Sequence, residues 1–218
     1  MSLEVDVRKL DLFNKIAREG SETVSDHLDQ MAGVETEIAV SKINFLDIED
    51  VRTHMGDGKR VGIYVELTEP PYGYVLFMLG PTEAKQLAGM LVGDVGDEGS
   101  EGEGFTDMER SAIQEVGNIM TSGYIDGWAN VLDTTIGMST PSFAYGPAGG
   151  IVDKMGGWPD EDIAFVIDSK LTASQGDVAL TIYTFPKLVE LVDLIQDIDV
   201  STVVGEDTTP SSDIADNA

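Results

Sequence analysis

Glu115 and Asn118 stand three residues apart in SAIQEVGNIM, residues 111–120, a run that is otherwise largely apolar. On a helix they would share a face, with Cβ atoms about 5–6 Å apart. A carboxylate can grip a cation, and a carboxamide carries both a donor and an acceptor, so it can orient a water. Such a pair could act at another protein's phosphate group without a metal of its own. Ser111, Glu115, Asn118, Ser122 and Asp126 step by 4, 3, 4 and 4 residues. At about 100° per residue the five fall on one narrow stripe. A solvated helix face gives the same pattern, and the spacing alone leaves both readings open.

The element that positions these residues announces its own start. Thr106 and Glu109 form a T-x-x-E capping box, which predicts a helix over 106–133. A second stripe, Ala112, Val116, Ile119, Met120, Gly123 and Gly127, is apolar or small. Each glycine costs about 1 kcal/mol of helix propensity against alanine. Two on one face predict close backbone packing against another element.

The chain around this helix reads as two copies of one plan. Residues 6–32 have a helical pattern, 34–46 alternate like a strand, and so do 60–67 (Val61, Ile63, Val65, Leu67). After Pro70-Pro71, 72–79 is apolar on both faces, as in a buried strand, and Pro81 opens a helix to about Val92. The second half runs through the helix at 106–133, extended chain over 134–152, strands at 162–171 and 176–185, and a helix closing near Ile198. A shift of 104 lays Leu67 on Leu171, Leu87 on Leu191 and Leu91 on Ile195. The expectation is an α+β fold with a pseudo-two-fold repeat: helix-strand-strand-strand-helix units sharing a central, mainly antiparallel sheet. It forms a single domain over 1–198, with repeats at about 6–93 and 106–198. Gly and acid fill a linker at 94–105, and a polar, acidic tail at 199–218 reads as disordered.

Charge and composition bound the function. Forty acids face thirteen bases among 218 residues, a formal net of -27. That self-repulsion suits a salt-loaded cytoplasm, because at about 1 M salt the Debye length falls to roughly 3 Å. A chain so poor in bases is not a nucleic-acid binder. An acidic decoy that mimics nucleic acid is remote for a related reason: the acid is spread over the whole chain and already has the salt explanation. No apolar run reaches the ~18 residues of a membrane span, and no signal peptide opens the sequence, so no membrane insertion and a cytoplasmic location are expected. With no cysteine and only His27 and His54, a zinc site has no ligand cluster. The linker lacks the glutamate spacing of a calcium loop. GPAGG at 146–150 lacks the G-K-[ST] of a phosphate loop and reads as a turn. There is no G-x-S-x-G of a serine hydrolase. Trp128, Trp158, Met31, Met78, Met90 and Met120 read as core or interface residues.

Ser111-x3-Glu115-x2-Asn118-x22-Pro141, with the NIMTSGYIDG continuation, resembles the signature of the CheC/CheX/FliY family of chemotaxis phosphatases. The two-half plan extends the resemblance over about 6–198, and the acidity suggests the haloarchaeal type. The resemblance implies hydrolysis of the aspartyl phosphate of the response regulator CheY. Glu115 would pair with a CheY lysine, Asn118 would hold the attacking water, and Ser111 and Pro141 would support the site. It implies no cofactor in this chain, Mg2+ on CheY, and the deamidase CheD as a further partner. A non-enzymatic alternative is an adaptor for CheY, CheD or flagellar switch proteins. At the shift of 104, Asp11 and Asn14 fall on Glu115 and Asn118, while Val7 and Glu37 replace Ser111 and Pro141. One residue's difference aligns Gly20 with Gly123 and puts Leu12 and Lys15 at the key positions. Either way a degraded first-half site is expected, with Asp11 and Asn14 as its remnant.

Overall fold

A computed structural model describes residues 10–33, 35–92, 104–156, 163–173 and 176–198. The first half comprises α1 (Leu10–Ala32), β1 (Thr36–Asp47), α2 (Ile48–Met55), β2 (Lys59–Leu67), β3 (Gly73–Leu79) and α3 (Pro81–Val92). The second comprises α4 (Asp107–Leu132), β4 (Ser142–Pro147), α5 (Ala148–Lys154), β5 (Ile163–Ala173), β6 (Gly176–Pro186) and α6 (Leu188–Asp197). Residues 6–9 of the first expected helix, Val34, Trp158, most of the linker and the tail lie outside the described residues.

The six strands form one sheet in the order β1-β5-β6-β3-β2-β4, and every pairing is antiparallel. Exchanging β1 with β4, β2 with β5 and β3 with β6 reverses this order onto itself. The pseudo-two-fold therefore passes between β3 and β6, where Phe77 pairs with Ile182. Each half lends its first strand to the other half's edge: β1 pairs with β5, and β4 with β2.

Strand alternation sorts side chains onto two faces. Val61, Ile63, Val65, Phe77, Ile167 and Ile182 share the larger core with α1, α3, α4 and α6. Leu76, Met78, Val166, Tyr183 and Phe185 point the other way, onto α2 and α5. Met90 and Met120 are buried in the larger core, and Met78 in the smaller one.

Several expectations need correction. Each repeat carries an additional short helix between its first two strands. α2 is eight residues, capped by Asp47, whose side chain accepts from the Asp50 N–H. α5 is seven residues, so the chain over 134–152 is not all extended, and GPAGG is not a free turn. Gly146 and Pro147 end β4, while Ala148, Gly149 and Gly150 open α5. Burial of Ile151 and Val152 against the sheet stabilises α5 where two glycines weaken it. The linker also ends earlier than expected, because Phe105 is buried, 5.0 Å from the Tyr145 ring and 5.8 Å from that of Phe143.

Candidate functional site

The site helix is fixed at its N-terminus by side-chain bonds to orphan backbone donors. The Thr106 N–H donates to Glu109 Oε2 at 2.6 Å, and the Glu109 N–H donates to Thr106 Oγ1 at 3.2 Å. Lys85 of α3 ties this cap to its neighbour, with Nζ 3.1 Å from Glu109 Oε1. Burial alone would raise the Glu109 carboxyl. The bonds from Thr106 and the Lys85 ammonium outweigh it and hold the group below the usual carboxylate range. Arg110 Nε donates to the Phe105 carbonyl at 3.3 Å, and its guanidinium lies 5.9 Å from the Phe143 ring centre. At the other end Asp133 takes the left-handed conformation, at φ 48°, and closes the helix on the Ala129 carbonyl.

The back of α4 sets its rotation. A Cβ on Gly117 would stand 2.5 Å from the Ile63 side chain, so the helix lies directly on β2. One on Gly123 would stand 2.9 Å from Val24 Cα, and one on Gly127 only 2.5 Å from Gly20 Cα. The glycines are thus where α1 and α4 touch through their backbones. Tyr124 fills the space above Gly20, fully buried, its hydroxyl 3.2 Å from Thr184 Oγ1. Burial pushes that phenol's pKa up, so it stays a neutral packing group. Trp128 is buried beside it, with ring centres 5.6 Å apart.

With its back pinned, α4 turns one face to solvent. Ser111, Glu115, Asn118 and Asp126 are exposed and Ser122 is half-buried, while all six residues of the small and apolar stripe are buried. Asp107, Met108 and Gln114 are exposed on this face too. The sequence reading passed over them, although their spacing from Ser111 places them there. That face carries the carboxylates of Asp107, Glu115 and Asp126, and exposed Arg110, three residues after Asp107 and four before Gln114, flanks it with its guanidinium 5.9 Å from the Phe143 ring centre. His27 of α1 lies beside Asp126, its Nε2 3.9 Å from Oδ2.

Pro141 is half-buried at the entrance to β4. It relates to the pair through the strands rather than by sharing the helix face. Two residues on, Phe143 pairs with Ile63, the residue on which Gly117 rests. The preceding loop is tied to β2: the Thr68 N–H donates to the Gly137 carbonyl at 2.8 Å, and the Ser139 N–H to the Glu66 carbonyl at 2.9 Å.

Asp11 and Asn14 lie on α1, and Asn14 is exposed. The helices cross antiparallel, Gly20 meeting Gly127 and Val24 meeting Gly123. That direction carries Asn14 toward the C-terminal end of α4, away from Asn118, so the two asparagines do not form one site. Laying Gly20 on Gly123 exchanges the two backbone contacts with each other. In that register Leu12, which is buried, falls on Glu115, and Lys15 on Asn118.

His54 is committed to a different network. Its Nδ1 lies 2.8 Å from the Tyr183 hydroxyl and its Nε2 3.5 Å from Asp168. Among the described residues no three His, Asp or Glu side chains gather as a metal site would need, and no helix is long and apolar enough to cross a membrane.

Residues 108–145, which hold the whole Ser111 to Pro141 stretch, match the CheC-like family. A Halobacterium salinarum protein, CheC1, whose name carries a provisional CheY-P phosphatase assignment, is 44% identical over 198 residues, spanning 91% of this chain and 100% of that protein. Among solved structures, Thermotoga maritima FliY is similar with a TM-score of 0.70 at 18% identity, over 89% of this chain and 98% of FliY. The FliM middle domain from H. pylori gives 0.62 at 11% identity, over 89% of this chain and 100% of that domain. At these identities both structures speak to the fold.

Proposed function

The chain belongs to the CheC family, and on that premise we propose that it hydrolyses the aspartyl phosphate of the response regulator CheY in the cytoplasm. The observation that carries this reading is the exposure of Glu115 and Asn118, one turn apart, on a helix whose opposite side is locked to β2 and α1. A loose helix could present the same residues but not hold them in one geometry, and phosphoryl transfer depends mostly on positioning and charge neutralisation.

In this mechanism Glu115 pairs with a lysine beside the CheY phosphate, which fixes the dock. Asn118 orients a water in line with phosphorus. The water oxygen bonds to phosphorus as the bond to the aspartyl oxygen breaks, leaving inorganic phosphate and a free carboxylate. Ser111, one turn before Glu115, and Pro141, through Phe143 and Ile63, support the pair. The Mg2+ for this step is held by CheY. The second half carries the working site, and Asp11 and Asn14 are the remnant of a first.

A second reading is an adaptor that binds CheY, CheD or flagellar switch proteins without chemistry. The fold shared with the FliM middle domain favours it. Intact Glu115, Asn118 and Pro141 favour activity, since a binding-only surface would not require that combination. The test is decay of phosphorylated CheY with the wild-type protein, Glu115→Ala and Asn118→Ala, at high salt, with and without CheD. Activity lost in both variants supports the phosphatase. Wild-type protein that binds CheY and leaves its decay unchanged would establish the adaptor.

A further inference from the structure

We propose that Met108 is an apolar anchor for the phosphorylated regulator, setting affinity at the edge of the contact that Glu115 and Asn118 make. This rests on the phosphatase reading and adds a residue to it. Met108 is 66% exposed, the highest value among the exposed large apolar side chains of the described residues. The others, Phe45, Tyr72 and Val189, lie on β1, the β2–β3 turn and α6. Singly exposed apolar residues are ordinary on protein surfaces, so exposure alone would mean little. Position separates Met108 from the rest.

Met108 lies on the exposed face of α4, three residues before Ser111 and seven before Glu115. At 1.5 Å per residue it stands about 10 Å along the axis from Glu115 and about 15 Å from Asn118. A protein partner commonly covers about 800 Å² per side, a patch roughly 30 Å across. A regulator seated on the pair therefore covers Met108 unless the pair sits at the very rim of the contact on that side. The electrostatics of the face point to the same occupant. Three carboxylates against one flanking cation, Arg110, whose side chain is turned to the Phe105 carbonyl and the Phe143 ring, disfavour a bare phosphate and favour an occupant that brings its own cations around that phosphate. An unbranched, polarisable thioether beside this charged contact supplies apolar area that adapts to the partner surface. The capping box and Arg110 hold the helix turn beneath it, so the side chain is presented from a fixed base.

The experiment is steady-state dephosphorylation of CheY by the full chain, together with equilibrium binding to beryllofluoride-loaded CheY. The variants are Met108→Gln, which keeps length and loses apolar character, and Met108→Leu, which keeps apolar character. Met108→Gln should raise KM and Kd by roughly five- to tenfold, with kcat within about twofold, as expected for losing part of a buried methionine's transfer energy. Met108→Leu should stay within about twofold of wild type in both. Thermal melts should coincide for all three proteins, because the side chain is solvated in the free protein. Unchanged KM and Kd in Met108→Gln, with an active wild type, overturns the anchor and leaves the phosphatase standing. A wild type that neither binds nor dephosphorylates CheY overturns both. A fall in kcat alone also overturns the anchor, since it would place Met108 in the chemistry rather than the dock.

Discussion

Gly127 of α4 lies against Gly20 of α1 so closely that a Cβ on Gly127 would stand 2.5 Å from the Gly20 Cα and 2.7 Å from the Glu19 carbonyl oxygen. Backbone meets backbone there, and no flexible side chain can move aside. Gly127→Ala should therefore destabilise the protein by about 1–3 kcal/mol, although alanine is the better helix former. For a protein of this size, about 2–4 °C of Tm is lost per kcal/mol. A thermal melt at high salt checks this; an unchanged or raised Tm would show that the crossing can open at little cost.

Asn118→Ala should slow CheY dephosphorylation by about 10²-fold, the scale seen when one positioned polar group is removed from a site of charge development. Asn14→Ala should stay within about twofold. Asn14 lies on α1, carried away from Asn118 by the antiparallel crossing, and the register that exchanges the two backbone contacts gives buried Leu12, not Asp11, the position equivalent to Glu115. Equal rate losses in the two variants would mean two working sites.

Stability should rise with salt. A formal charge of -27 repels itself, and the repulsion is screened as the Debye length falls from about 10 Å at 0.1 M to about 3 Å at 1 M. The Tm should climb by several degrees between about 0.1 and 2 M KCl. A flat profile would place the charge where it does not oppose compaction.

Glu109 ties the α4 cap to acid stability. Its folded pKa is depressed, because bonds from Thr106 and Lys85 outweigh the opposing effect of burial. A depressed carboxylate contributes stability that is fully present above its unfolded pKa, about 4.3, and is lost as pH falls through the lower folded value. Glu109→Gln should thus be less stable than wild type near pH 7, and the gap should shrink as pH drops below about 4. Thr106→Ala removes the other half of the box and should cost about 1 kcal/mol. Denaturant melts of wild type and Glu109→Gln from pH 7 to 3 provide the check; a gap that holds constant, or widens toward acid, would remove the assigned role.

Much of the helix that carries the candidate site was legible because its determinants are local. Thr106 and Glu109 bond each other's backbone within one turn, so the T-x-x-E spacing placed the start within a residue of Asp107. The stripe of Ser111, Glu115 and Asn118 is exposed and that of Val116, Ile119 and Gly123 is buried, as a period of 3.6 requires. α2 and α5 escaped notice for the opposite reason. Eight and seven residues are too few to show a helical period, and what folds them is Val51 and Ile151 packing on the sheet. Phe105 looked like the end of a polar linker because nothing nearby in sequence says that Phe143 and Tyr145 will meet it.

By itself the sequence determined the α4 start, the two faces of that helix, the repeated order of the longer helices and strands and the strand alternation, each set by neighbours a few residues apart. Tertiary structure alone decided that β1 crosses to pair with β5 and β4 with β2, that Gly127 lands on Gly20, and that Gly117 rests on Ile63. These are contacts between segments tens of residues apart, chosen by which packing excludes most water, and no local spacing records that choice.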